Sequence, residues 1–425
     1  MTDREDPPQT RKGKETAAPG ARGAPGWQRM LLILALAQLL SSVGFSMVFP
    51  FLPNYVTDLG TNTNISIVFW TGAVFSSQAI TMALASPLWG ALADRLGRKP
   101  MLVRALLGGS LILGLMGFAG SAEQLVLLRA IQGVLSGTVS AGNAMVAAIA
   151  PRSRSGYAMS VLQTASWSGI AVGPVLGGFL ADRFGYSLAF VITAALLLVG
   201  GLLVLFGTRE DFQAPTGKAR RSLIGGGRDL LKTVGIKATF VVRFTSALGR
   251  GLLVPILPLF IPIVLHGQGA TGTFTGFVIG ASSATGTVAA ILLGNLGDRI
   301  GHRRILTVSG VLAAVTFLPM AFATEGWHLL VLNALSGIAL GGLMPAVSAL
   351  IAQYAREDQM GSAFGLDNSV MSAARAVSPL VAVGAAELFG YQSVFVIGAG
   401  IFLLCTVLSI VSLPPPASQR RILSR

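Results

Sequence analysis

The sequence predicts an all-α membrane protein of twelve transmembrane helices in two six-helix pseudo-symmetric bundles. Three observations carry this: a deficit of charge, twelve apolar runs long enough to span a bilayer, and an internal repeat. Of 425 residues, 52% are hydrophobic and only 11% charged, with a mean hydropathy of +0.70. A soluble domain carries about 25% charged residues, so most of this chain lies where charge is costly. The 53 glycines suit packed transmembrane helices, where small residues let backbones approach closely.

Runs of the required length, about 20 residues each, begin near Met30, Ile67, Met101, Gln124, Tyr157 and Tyr186, and again near Lys237, Phe274, Ile305, Trp327, Ser362 and Tyr391. The expected organisation is a disordered cytoplasmic tail (1–29), a six-helix bundle (30–207), a cytoplasmic linker (208–236), a second bundle (237–413) and a cytoplasmic tail (414–425). The linker's basic residues read as solvated, with a membrane-surface role as the alternative. The first apolar run is long and lacks a small-residue cleavage site, so no cleaved signal is expected.

Basic residues set the orientation. With the N-terminus inside, the inner segments hold 26 of the 31 Lys and Arg, including Arg95, Arg98, Lys99, Arg104, Arg299, Arg303 and Arg304. The outer loops hold only Arg183. This asymmetry predicts a multi-pass protein of the cell membrane with both termini cytoplasmic. It also removes nucleic acid as the meaning of the +14 net charge, because the basic residues sit in short loops between spans. The single cysteine, Cys405, forms no intrachain disulfide.

A shift of about 204 residues superimposes the two halves. GALADRLGRKP from Gly90 meets GNLGDRIGHRR from Gly294, pairing Asp94 with Asp298 and Gly97 with Gly301. FPFLPNYV from Phe49 meets VPILPLFI from Val254, and GPVLGGFLADRFGY from Gly173 meets SPLVAVGAAELFGY from Ser378. Two parallel repeats predict a substrate site near the midplane at their interface.

These same residues carry a family resemblance. GALADRLGRKPMLVR (Gly90 to Arg104) resembles the loop between the second and third helices of major facilitator proteins. Arg129-Ala-Ile-Gln132-Gly133 resembles that superfamily's fourth-helix motif, and Gly169 to Gly178 (GIAVGPVLGG) the fifth-helix antiporter motif of its exporters. With PFLPNYV in the first helix, the chain over about residues 30–413 resembles the twelve-helix drug:proton antiporter group, and so implies the major facilitator fold.

Asp94 is a carboxylate set among glycines, suited to a helix N-terminus. The resemblance implies that it holds the cytoplasmic end of the eleventh helix closed in the outward-facing state, with Arg98 in the same charge network. Gly90 and Gly97 are expected to permit the turn, and Asp298 repeats the acid. A plain positive-inside loop is the alternative. Gly169, Gly173 and Gly177 form one flat helix face for close packing, beside Pro174 and Gly178. The resemblance gives this stripe the task of sealing the two halves together. Arg129 lies about two turns into the fourth span, where an arginine is a functional hypothesis by default. The resemblance implies a part in proton coupling; a structural arginine bonded to carbonyls is the alternative. Its repeat partner is Asn333.

The second half adds charges outside these motifs. The seventh span holds Arg243 and Arg250, and the eleventh holds Asp367 and Arg375. Arg250 and Arg375 each lie 13 residues into their spans, about 20 Å deep at 1.5 Å per residue. Arg243 and Asp367 lie one to two turns in and are a candidate pair. Asp367 is also the candidate proton site, because Asp58, Glu123, Asp182, Glu325 and Glu387 fall near outer ends, where solvation is the default reading. Arg250 and Arg375 either bind an anionic group of the substrate or are neutralised by carbonyls. Gln38, Asn143, Gln163, Trp167 and Asn333 are further cavity candidates, each equally suited to helix packing.

The expectation is thus a secondary active transporter that exports small amphipathic compounds in exchange for protons by alternating access. A carrier for a specific organic anion is the alternative. The expected partners are a small-molecule substrate, protons and the lipid bilayer, the expected state is monomeric, and no cofactor or metal is called for. The three histidines have no metal-ligand spacing, and neither a GxxxxGK[ST] loop nor a GxSxG turn occurs, so an enzyme is not expected.

Overall fold

The computed structural model of the chain describes residues 26–210, 235–356 and 359–414. The two tails and the linker expected from the sequence lie largely outside the described residues, as does the Asp94 side chain. The described helices of the first half are α1 (Trp27–Met47), α2 (Leu52–Leu59), α3 (Ile67–Leu96), α4 (Arg98–Met116), α5 (Ala122–Leu135), α6 (Thr138–Ile149), α7 (Ser155–Phe184) and α8 (Tyr186–Gly207). The second half contains α9 (Ile236–Val264), α10 (Thr271–Ile300), α11 (His302–Met320), α12 (Gly326–Tyr354), α13 (Met360–Phe389) and α14 (Tyr391–Val411). Among the described residues, twelve spans are long and apolar enough to cross a bilayer, with α5 and α6 sharing the fourth.

Single glycines join consecutive spans. Gly97 (φ 94°) ends α3 and opens α4, and its repeat Gly301 (φ 97°) does the same between α10 and α11. A side chain is strained at such φ values, so the helix reverses at the one residue that can turn it. Gly90, expected in that turn, lies instead inside α3 and faces open space.

Each reversal is stapled from the third span of its half to the sixth. Lys99 Nζ donates to Thr208 O at 2.6 Å, while Arg303 donates through Nε to Ser409 O at 3.1 Å and through its terminal nitrogen to Ile410 O. These are the orphan carbonyls at the ends of α8 and α14, where a cation is favoured. In the first half, Glu210 completes the arrangement by accepting the Arg98 N–H (2.9 Å) and the Lys99 N–H (2.7 Å) at the start of α4.

The halves differ in continuity. Span one breaks after Met47, ahead of Pro50, whereas α9 runs unbroken through Pro255, Pro258 and Pro262. Span four breaks at Ser136–Gly137, whereas α12 is continuous. The carbonyls freed by the span-four break are recovered by side chains: Trp89 Nε1 donates to Val134 O at 2.6 Å and Arg104 to Ser136 O at 3.1 Å. The Arg104 guanidinium also lies 3.5 Å over the Trp89 ring. A membrane helix tolerates such a break when neighbouring groups re-satisfy its backbone.

Each half has its own apolar core. Phe260, Phe317, Phe395 and Phe402 are fully buried in the second, and Phe51, Phe190, Leu113 and Leu197 in the first. The glycine stripe of α7 packs within the first half. Gly169 sits on Leu39 and Val43, Gly173 on Val43 and Ser46, and Gly177 on the Met47 backbone, all of span one. This corrects the sealing task expected for that face.

Gly177→Ala forces a methyl group into the Met47 backbone and is expected to cost about 1–3 kcal/mol. Gly90→Ala, facing open space, is expected to be neutral or to stabilise by up to about 1 kcal/mol. Thermal unfolding of the two purified variants checks the contrast.

Candidate functional site

Most of the contact between the halves is made by α7 with α10 and by α3 with α13, with α9 adding contacts to α2 and α3, and it gathers towards one end. Across α7 and α10, Gly178 abuts the Gly272 backbone, and Gly276 abuts the carbonyl of Pro174. Across α3 and α13, Gly72 abuts Pro379 and Val383. Towards the other end of these helices, Gly90 (α3), Gly156 (α7), Gly294 (α10) and Gly365 (α13) have no atom within 4 Å of where a Cβ would stand. The molecule is therefore closed at the end bearing the α7–α8 turn and open at the end bearing the Asp94 loop.

The closed end carries a latch that the sequence did not reveal. Asp182, at the end of α7, accepts the N–H groups of Gly272 (3.1 Å) and Thr273 (2.6 Å) and the Thr273 hydroxyl (2.7 Å). A carboxylate of one half thus caps the first turn of a helix of the other, where α10 has no side-chain cap of its own. Reading Asp182 as merely solvated is corrected on this point. Glu123 and Glu325 are structural too: Glu123 accepts Thr61 Oγ1 at 2.5 Å, and Glu325 forms a capping box with His328. No local signal could have found Asp182, because its partners at Thr271-Gly272-Thr273 open a helix of the other half and are distant in the chain.

At the open end, two of the residues expected at the gate bond within their own halves. Asp298 is 74% exposed and accepts from His302 Nε2, four residues on, at 3.1 Å. Arg98 is held by its backbone to Glu210 of its own half.

Between the two ends lie the buried charges. Arg243 (1% exposed) and Asp367 (7%) form a two-pronged ion pair, Nε to Oδ1 at 2.6 Å and NH2 to Oδ2 at 2.9 Å. Arg243 donates further to Ser348 Oγ (2.6 Å) and Met344 O (3.3 Å), so one guanidinium joins α9, α12 and α13. The carboxylate is thereby fully engaged. In the first half, Arg129 (3% exposed) has no acid: NH1 donates to Gln132 (2.8 Å) and Gln78 (3.2 Å), while Nε and NH2 are buried without a partner.

Arg250 and Arg375 stand apart from both groups. Both side chains are exposed, and Gly251, next to Arg250, packs against Ser378, three residues from Arg375 on α13. Neither makes an ion pair or hydrogen bond among the described residues. Each is accessible rather than held by the carbonyls that would neutralise it. Of the uncharged candidates, Gln163 is exposed and Asn143 and Trp167 half-buried. Gln38 and Asn333 are buried, Gln38 donating to Ser42 at 3.2 Å.

Two helical bundles, joined at one end around a cavity with charged walls, define a membrane transporter fold. The model of the Major Facilitator Superfamily matches residues 34–238 and again 239–424, and the chain belongs to that superfamily. It is 36% identical over 386 residues to the multidrug resistance protein MdtG of Citrobacter koseri, covering 90% of this chain and 94% of that one. It is likewise 36% identical to MdtG of Dickeya zeae over 395 residues, covering 91% and 95%. Among solved structures, a bacterial homologue of the human lysosomal transporter Spinster, inward-facing and unoccupied, superimposes with a TM-score of 0.74 at 15% identity, over 93% of this chain and all of that one. The human organic anion transporter MFSD10 does so with a TM-score of 0.64 at 20% identity, over 91% and 100%. These two likenesses show the fold.

Removing one partner of the central pair, by Arg243→Ala or Asp367→Ala, strands a buried charge and is expected to cost about 3–5 kcal/mol, whereas replacing both by apolar residues (Arg243→Met with Asp367→Leu) should recover most of it. Thermal unfolding of the native protein and the three variants checks the contrast. Asp182→Ala removes about 1 kcal/mol from the closed end and is expected to raise the population open at that end about fivefold. Pulsed dipolar distances between labels on Phe184→Cys and Gln268→Cys in the Cys405→Ser background report it.

Proposed function

We propose that the protein is a monomeric secondary active transporter that exports small amphipathic organic compounds in exchange for protons by alternating access. One observation carries this reading: the contact between the halves gathers towards one end, around a cavity whose deep walls hold charge. Bodies 30–207 and 237–413 rock against each other, joined by segment 208–236, with both termini in the cytoplasm. The open end is then cytoplasmic, and drugs enter from there. The MdtG relatives, named for multidrug resistance, support export of such compounds by this chain.

On this reading, Asp94, Gly97, Arg98 and Asp298 belong to the inner gate, which engages when that end closes and the Asp182 latch lets go. Gly178 and Pro174 belong to the outer closure, and Gly90 and the stripe Gly169, Gly173 and Gly177 keep α3 and α7 slim enough to move or pack. Proton coupling rests with Arg129 and Asp367. Protonating Asp367 removes its charge and releases Arg243, so a proton would loosen the tie among α9, α12 and α13. Gln38, Asn143, Gln163, Trp167 and Asn333 supply uncharged cavity contacts. A second reading, a carrier for a specific organic anion, is favoured by Arg250 and Arg375, which face the cavity without carboxylates.

The test uses purified protein in vesicles with an imposed pH gradient. Accumulation of an amphipathic dye should follow the gradient and collapse with an uncoupler. Asp367→Asn should abolish accumulation driven by the gradient while leaving downhill exchange. Accumulation indifferent to both the gradient and Asp367→Asn would remove the proton-antiport reading.

A further inference from the structure

We infer that the first half carries a binding site for one anionic phospholipid, in a groove between the starts of α1 and α7 on the lipid-facing surface. The site is independent of the cargo and of the direction of transport.

The groove has a volume of about 650 Å³, and Gln28 and Leu32 of α1 face Arg154, Tyr157 and Val161 across it. It opens towards lipid rather than towards the space between the halves. Val161 shares its face of α7 with Val172 and Phe179, three and five turns on, and both of these are exposed. The glycine face of α7 is covered by span one, and Gln163 and Trp167 lie on a further face. On α1, Leu32 and Leu36 are exposed beside the groove.

Its rim is positive and its floor apolar. The side chains of Gln28, Arg154 and Tyr157 have no hydrogen-bond partner among the described residues, and exposed Arg29 stands next to Gln28. No acid answers them: α1 has none, and the acid of α7, Asp182, is at its far end. Glu210, beyond the end of α8, is engaged by the N–H groups of Arg98 and Lys99. Residues 1–25, ahead of α1, hold five basic and four acidic residues and so bring no net negative charge. Both spans begin at this groove, which sets the rim at the boundary of water and hydrocarbon, the level of lipid phosphates. From Val161 to Val172 the floor runs about 16 Å at 1.5 Å per residue, close to one leaflet of a core about 30 Å thick. A phosphate at Arg154 with an acyl chain along Leu32 and Val161 matches both parts, and basic pockets between helices at a membrane surface suit such headgroups. A zwitterionic headgroup would bring an ammonium to a rim that is already cationic.

The experiment uses the full-length protein in dodecyl maltoside with three probes: dioleoyl phosphatidylglycerol, dioleoyl phosphatidylcholine and glycerol 3-phosphate. Native mass spectrometry gives the affinity of the first molecule bound. Phosphatidylglycerol is expected to bind at least about fivefold tighter than phosphatidylcholine, and Arg154→Gln to remove that advantage. Val161→Trp fills the groove, keeps the charge and should weaken both lipids. Arg183→Gln, at the other end of α7, should change neither. Unchanged melting temperatures show that these surface variants are folded. Equal affinity for the two lipids, or phosphatidylglycerol binding that survives both groove variants, overturns the site, as does an equal loss with Arg183→Gln. Glycerol 3-phosphate binding as tightly as phosphatidylglycerol overturns it in favour of a free-phosphate site. In cell membranes, Val161→p-benzoylphenylalanine is expected to photocrosslink to phospholipid. A crosslink to residues 1–25 or to a second copy of the chain in place of lipid overturns the assignment.

Discussion

In a hydrocarbon medium, every polar group must find its partner within the protein. That constraint orders the structure, because it sorts each buried charge and each interruption of a helix into satisfied and unsatisfied. The Arg243–Asp367 pair is the most completely satisfied: two prongs, plus bonds to Ser348 and Met344, hold three helices of the second half together. The break in span four is satisfied from outside the helix, by Trp89 and Arg104. Helix reversals are satisfied by Lys99 and Arg303 on the carbonyls of the next bundle layer. Among the described residues, the largest unsatisfied groups are guanidinium nitrogens: part of buried Arg129 and Arg104, and those of Arg250 and Arg375, which make no ion pair or hydrogen bond.

The repeat supplies the frame twice but the charges once. Gly97 and Gly301 turn the chain at equivalent places, and Lys99 and Arg303 staple it at equivalent places. At an offset of 205, however, Gln38 stands where the second half has Arg243, and Phe45 where it has Arg250. Gln38 bonds locally to Ser42, whereas Arg243 ties three helices. The first half compensates by backbone breaks in spans one and four, which the second half lacks. One bundle is thus stiffened by a buried ion pair and the other jointed by interrupted helices, a difference suited to two bodies that share a shape but not a task.

The sequence made most of the frame legible. Twelve apolar runs give twelve spans starting within about one turn of the expected positions, because length and hydropathy are local properties that tertiary packing does not alter. Matched depth made Arg243 and Asp367 a candidate pair, beside the reading of Asp367 as a proton site, and the structure shows the two side chains bonded. Contacts across helices were not. The face formed by Gly169, Gly173 and Gly177 was visible as a packing face, but periodicity says nothing about which neighbour covers it, and span one does. The break at Ser136–Gly137 carries no proline. The Asp182 latch depends on where α10 begins relative to the end of α7, which is a relation between halves.

That latch gives the two closures a common logic. At the closed end, an acid at the end of one half's helix satisfies free N–H groups at the start of the other half's helix. The proposed inner gate draws on the same kind of group, an acid near the end of α3. Glu387, the repeat counterpart of Asp182, is exposed, and α3 is capped by its own Ser66. So among the described residues the second half contributes no equivalent of the outer latch, and Asp182 adds its bonds to the glycine packing of α7 on α10 and α3 on α13. A gate of a few charge-assisted bonds to backbone N–H groups is strong enough to select a state and weak enough to be undone. The buried Arg243–Asp367 pair, enclosed by three helices, is neither quickly made nor quickly lost. Bonds that can be exchanged thus belong to the rim, while the deep pair is a tie within the second half.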